Sequence, residues 1–168
     1  IGCGVIVDGR VYRGATGSAG DIGHIQATSA DGRVVICHCG MENCLEALAG
    51  GAALLRDAKA LGLPVTTTRE LVERAAHGDG PALELVRDAG RTIGTVLVGS
   101  FTLGGGQFCT KPGLAFVPAG PEGDAVVDAM AETVRGTAAP VLLNAGIAAS
   151  YERISDGLAA APGVEEIA

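Results

Sequence analysis

Tryptophan is absent from this 168-residue chain, and the other aromatics amount to two Tyr and three Phe. At 3% aromatic content the core must be assembled from Ala, Val, Leu and Ile, with few large anchors. Charge is scarce too, at 18%, and it leans acidic: 12 Lys and Arg against 19 Asp and Glu, a net of -7. A chain so short of cations is poorly suited to neutralising phosphates, so this segment is expected to contact no nucleic acid. No apolar run approaches the roughly 18 residues of a membrane span, and no secretory signal is visible. The expectation is therefore no membrane and a cytoplasmic location.

What the chain does hold is glycine, 27 residues of it, and five Cys. So much glycine means many tight turns and a backbone that is costly to order. Three of the Cys fall within eight residues of one another, and the total is odd. That pattern suggests a metal cluster in a reducing compartment rather than a disulfide framework. The first residue is Ile rather than Met, and the opening IGCGVIVDGRVYRG reads as a strand already under way. The expectation is a fragment of a longer protein.

Along the chain, residues 1–14 read as a β-hairpin turned by Asp8-Gly9. Residues 15–45 read as an irregular, ligand-bearing stretch. From Glu46 to about Leu61, Leu48, Ala52, Leu55 and Ala58 recur at helical steps, and Gly62 to Pro64 ends the run. Thr67 and Glu70 have capping-box spacing for a short helix ending near Gly78. Pro81 opens a longer helix to about Val98, with Leu85, Ala89, Ile93 and Val96 on its apolar face. Leu114–Val117 reads as a short buried strand closed by Pro118. Residues 122–136 and 147–161 read as two helices joined by the apolar run Val141–Leu143.

The run Cys37-His38-Cys39-Gly40-Met41-Glu42-Asn43-Cys44 puts three thiols in one loop, with Gly40 free to turn the backbone between them. Zinc takes four tetrahedral ligands, Cys3His is a common closed set, and thiolates favour zinc over magnesium or calcium. His24 lies close enough upstream to fold back as the fourth ligand. His38 competes, but it sits between two ligand cysteines and is expected to point away. The plainer alternative is three buried free thiols beside an unrelated histidine.

These motifs carry a resemblance. The stretches IGCGVIVDGRVYRGATGSAGDIGHI, CHCGMENCLEALAGG and GRTIGTVLVG resemble the ROK family (repressors, open reading frames and sugar kinases) over residues 1–98. The resemblance implies part of an actin-like (RNase H-like) α/β domain with Zn2+ held by His24, Cys37, Cys39 and Cys44. It also implies a hexose or amino-hexose held by Asp21, His24 and Glu46. Carboxylates suit vicinal hydroxyls, and a zinc-bound imidazole keeps one ring N–H to donate. Asp21 stands where the kinases usually carry Glu, and Asn43 where a Gly commonly precedes the last Cys. The His24-to-Cys37 gap looks longer than in typical members, which implies a small loop insertion. The family's catalytic Asp and phosphate loops have no counterpart in these residues, so ATP is expected only in an intact parent. Sugar binding without phosphoryl transfer is the expectation for this segment, tilted slightly to the repressor branch.

From about Ser100 the sequence is similar instead to the aldehyde dehydrogenase superfamily, of the 2-oxoglutarate semialdehyde dehydrogenase kind. SFTLGGGQFCTKPGLAFVP and LLNAGIAASYERI carry that likeness. It implies Cys109 as the thiol that attacks an aldehyde carbonyl, with Gln107 shaping its loop and NAD(P) bound only in an intact parent. The expected organisation is thus a ROK-type half-domain over residues 1–98 and an aldehyde dehydrogenase-like catalytic-domain segment over 99–168. Both are expected to be truncated, and the join near residue 99 is open to three explanations: a real fusion, a decayed reading frame or a miscalled chimera, the alternative function being an inactive chimeric remnant. Exposed edges and apolar faces, with marginal stability and aggregation, are expected, and a homo-oligomer is a further expectation.

Overall fold

A computed structural model describes residues 1–29, 31–107, 113 and 115–168, without the side chain of Glu122. The architecture is helix-rich α/β. Two short antiparallel strands, β1 (Ile6–Val7) and β2 (Arg10–Val11), open the chain, and among the described residues six α-helices follow, with a 3-10 turn at Leu103–Gly106. These are α1 (Leu45–Ala49), α2 (Gly51–Ala60), α3 (Thr68–Ala76), α4 (Gly80–Thr102), α5 (Pro121–Arg135) and α6 (Ala145–Ala159). The hairpin turns on Asp8 (φ 50°) and Gly9 (φ 71°), the two left-handed residues that a type I′ turn requires.

The helical run expected from Glu46 to Leu61 is two helices, because Gly50 adopts an extended conformation (φ -73°, ψ 166°) between α1 and α2. Its buried face also differs: Ala53 and Ala58 are buried, whereas Ala52 is exposed. The capping box is present as read, with the Glu70 N–H donating to Thr67 Oγ1 at 3.2 Å and Glu70 reaching back to the Thr67 N–H. Asp79 caps α4, accepting from the Ala82 N–H at 3.2 Å, and Pro81 lies in the first turn.

The core is small-residue packing. Ala58, Leu71, Ala75, Ala82 and Val86 join α2, α3 and α4. Leu45, Ala49 and Ala89 join α1 to α4. α4 buries Ala82, Val86, Ala89, Gly90, Gly94 and Val98; of the apolar face read from the sequence, Ala89 is buried and Leu85, Ile93 and Val96 are half-buried against the α1–α3 side. The glycine side was not anticipated, and there α5 lays Val126 and Ala129 against Gly94. α4 also runs unbroken through residue 99. The buried strand expected at Leu114–Val117 is not formed by its described residues: 115–117 have no regular structure, and Phe116 is 94% exposed. Val141 and Leu143 are exposed as well, and α6 has no buried residue.

Three carboxylates that brace these helices are held below the usual carboxylate range. The Ala82 N–H and then Arg74 lower Asp79. The Thr66 N–H and hydroxyl lower Glu70. Burial pushes Asp57 up, but Arg56 and Arg33 more than offset it. Such groups stabilise the fold fully above their unfolded values near pH 4, and that contribution is lost as pH falls through the lower folded values. The melting temperature is therefore expected to fall on acidification below about pH 4. Asp79→Asn should show a shallower acid slope than wild type in the same thermal scans. Equal slopes would remove Asp79 from this account.

Candidate metal centre

The metal-ligand candidates converge through a knuckle in the backbone. The Cys37 N–H donates to Met41 O at 2.8 Å and the Gly40 N–H to Cys37 O at 2.9 Å, with Gly40 left-handed at φ 88°. Asn43 is left-handed too, at φ 51°, a conformation Asn tolerates better than most residues. Its side-chain Oδ1 accepts from the Val35 N–H at 2.8 Å and its own N–H donates to Val35 O, which pins the two arms of the loop together. The segment carrying His24 docks alongside: Ala27 N–H to Asn43 O, Leu45 N–H to Ile25 O and Glu46 N–H to Gly23 O are each 2.8 Å.

One ligand atom from each of His24, Cys37, Cys39 and Cys44 lies within 4.8 Å of every other. Cys37 Sγ is 3.6 Å from His24 Nδ1, and Cys39 Sγ is 3.6 Å from Cys44 Sγ. A tetrahedron with Zn–S near 2.3 Å and Zn–N near 2.0 Å has edges of about 3.5–3.8 Å, so the donor set and its spacing fit zinc. Cys37 and Cys44 are buried, and Cys39 is exposed. Burial, then the neighbouring Cys39 and Cys37, pushes the Cys44 thiol up to about 12. The Met41 N–H and the other thiols lower Cys39. Three thiols this close cannot all ionise without a cation to share the charge, which is the service a divalent metal supplies.

His38 is not one of the four, yet it lies close by. Its Nδ1 is 3.6 Å from Cys37 Sγ, and its ring meets that of His24 edge-on with centroids 5.1 Å apart.

The three residues expected to hold sugar lie beside this cluster. Gly20 (φ 92°) packs its backbone against Cys3, delivering Asp21 at the turn that follows. Asp21 Oδ2 is 3.9 Å from His24 Nε2, on the side of the ring opposite the thiols. Glu46 stands in the first turn of α1, paired with the Ile1 amino group. Its side chain is cradled by two glycines: a Cβ on Gly50 would lie 2.5 Å from Glu46 O and 2.6 Å from its Cδ, and one on Gly23 would lie 3.3 Å from Oε2. Two further parts of the site had no sequence signal. One is this glycine cradle. The other is a clasp between Arg33 and Asp57, where two guanidinium N–H groups donate to the carboxylate at 2.6 and 3.2 Å and tie the loop before Cys37 to α2.

Cys109 lies outside the described residues, as do Phe108, Thr110–Pro112 and Leu114. Next to them Gly104, Gly105 and Gly106 are all left-handed. Gln107 staples that turn to the later chain, donating to Gly104 O at 3.0 Å and accepting from the Leu143 N–H at 2.6 Å.

Fold and cluster together define a helix-rich α/β protein with a four-residue thiol and imidazole group at a helix start. The chain belongs to the ROK family, whose description matches residues 1–105. It is 34% identical over 105 residues to the DNA-binding transcriptional dual regulator NagC of Escherichia coli K12, covering 57% of this chain and 25% of that protein. It is 33% identical over 97 residues to the N-acetylmannosamine kinase of Citrobacter koseri, covering 58% of this chain and 32% of the kinase. The ROK hexokinase of Thermus thermophilus is structurally similar, with a TM-score of 0.57 and 33% identity over 93% of this chain and 55% of that one. The chain thus spans a quarter to a third of these curated relatives. It is also 38% identical over 118 residues to an α-ketoglutaric semialdehyde dehydrogenase of Azospirillum brasilense, over 70% of this chain and 22% of the enzyme. A match to 70% of the chain cannot be confined to residues 100–168. Among the described residues no helix is long and apolar enough to cross a membrane.

Proposed function

We propose that residues 1–98 are the zinc-containing, sugar-binding part of a ROK-type sugar kinase or sugar-responsive repressor, and that the ligand is a hexose or amino-hexose. The observation that carries this reading is the division of His24. Its Nδ1 faces the thiols, while its Nε2 looks across 3.9 Å to Asp21. A gap of that width lets one hydroxyl oxygen sit at about 2.8 Å from both groups, donating to the carboxylate and accepting from the imidazole N–H. Zinc at the other nitrogen would fix the tautomer that leaves this N–H available. Glu46 supplies a second carboxylate from α1. In this reading the metal is a clamp on the binding loop, and these residues hold sugar rather than transfer phosphate. Two relatives, a regulator and an amino-sugar kinase, support both branches.

Calorimetric titration with N-acetylglucosamine, N-acetylmannosamine and glucose tests the reading. At least one should bind. Glu46→Gln should weaken that sugar by about 10- to 100-fold, the worth of a charge-assisted hydrogen bond. No heat with any of the three, from zinc-loaded protein, would refute sugar binding by these residues.

The likeness to the semialdehyde dehydrogenase favours a second reading, in which Cys109 attacks an aldehyde carbonyl and an intact parent passes the hydride to NAD(P). NAD(P)H formation from a dicarboxylic semialdehyde, abolished by Cys109→Ala, is its test.

A further inference from the structure

We propose that His38 is a reserve metal ligand, able to take the fourth place beside Cys37, Cys39 and Cys44 when His24 is withdrawn. The proposal rests on the zinc reading of the cluster. It assigns a task to a residue outside the ligand set.

Cys37 Sγ has two imidazole nitrogens at the same distance, His24 Nδ1 and His38 Nδ1, both at 3.6 Å. That spacing is the edge of an N,S tetrahedron around zinc. The two rings are mutually edge-on, with centroids 5.1 Å apart and planes at 68°, so both crowd one corner of the cluster. His24 is the better placed as the structure stands, since its nitrogen lies within 4.8 Å of all three sulfurs. His38 is exposed, and its polar contact among the described residues is Cys37 Sγ, so no other bond holds its ring. Its backbone cannot drift, because the Cys37–Met41 and Gly40–Cys37 hydrogen bonds on either side close the knuckle. A side-chain rotation is the movement the proposal calls for.

The consequence is that the two tasks of His24 come apart. Metal retention does not require it, whereas the pairing of its Nε2 with Asp21 does.

Cobalt(II) titration of the full chain tests this, because three thiolates and one imidazole give a tetrahedral spectrum with intense thiolate charge-transfer bands. Wild type, His24→Ala and His38→Ala should each develop the tetrahedral bands at one metal per chain. The double variant should lose them. Sugar heat in calorimetry should vanish in His24→Ala and persist in His38→Ala. If wild type takes up no cobalt, the metal reading itself fails. If wild type does but a folded His24→Ala is as colourless as the double variant, only the reserve role fails. His24→Asn is read the same way should the alanine variant not fold. Loss of fold in both His24 variants, with His38→Ala intact, also counts against the proposal, since a reserve ligand would have kept the knuckle closed.

Discussion

Stripping the metal with a strong chelator, or replacing Cys44 with Ala, is expected to unravel the segment from Asp21 to Cys44 and abolish sugar binding together. Apart from its own backbone hydrogen bonds and the Asn43 pin to Val35, the loop has little apolar packing among its described residues. It carries two isolated bridges, Gln26 with Cys44 and Ile36 with Glu42, and its large apolar side chains Ile25, Val34 and Ile36 are exposed. Structural zinc contributes on the order of 10 kcal/mol in small peptides that fold around it. No other interaction in this loop is of that size. The Arg33–Asp57 clasp is partly exposed and contributes at most about 1 kcal/mol. Cys44 is the most severe of the four positions because it is fully buried and also begins α1. In hydrogen exchange, amides such as those of Cys37, Asn43 and Leu45 should lose protection. Those of α2 and α3, packed around Leu71 and Ala58, should keep theirs. The ligand thiols should turn from unreactive to titratable in step. Purified protein that contains no zinc, with its thiols all titratable and its sugar affinity intact, would overturn this account.

Gly94→Ala is expected to be the most damaging conservative change outside the loop. A Cβ there would lie 2.6 Å from Val126 O and 2.9 Å from Ala129 Cβ, so α5 must back away along its length. Overpacking of this kind costs about 1–3 kcal/mol, more than the ~1 kcal/mol that Ala gains over Gly in a helix. A domain of this size loses roughly 2–4 °C per kcal/mol. Gly99→Ala, five residues on in the same helix, meets nothing within 4 Å and should stabilise by up to ~1 kcal/mol. The pair of melting curves separates packing from propensity, and a Gly94→Ala protein as stable as Gly99→Ala would show that α4 and α5 do not touch there.

Where local chemistry decides structure, the sequence was readable. Asp8-Gly9 must turn, Thr67 and Glu70 must cap, and a cluster of three Cys with Gly40 between them must fold on itself. Those signals act over a few residues and need no knowledge of the rest of the chain. Misreadings fall where a distant surface decides. The second buried face of α4, at Gly90 and Gly94, carries no apolar signal, because α5 needs closeness there rather than bulk. Gly50 breaks the first helical run with no proline or polar cluster to announce it; its reason is the Glu46 carboxylate that it must admit. Val117 and its neighbours have the composition of a strand but no partner among the described residues, and an unpaired strand is no strand. His38, next to Cys37 in the chain, lies near its Sγ without joining the four, and only the folded loop shows how near.

α4 is also a mechanical part. It is 23 residues long and unbroken, a stiff rod of roughly 35 Å. Its N-terminal turns pack on α2 and α3 through Ala82 and Val86, its middle meets α1 at Ala89, and α5 packs against it at Gly94. The helix that carries Glu46 and the glycine seam with α5 therefore bear on the same rod within a few residues of each other, at Ala89 and Gly94.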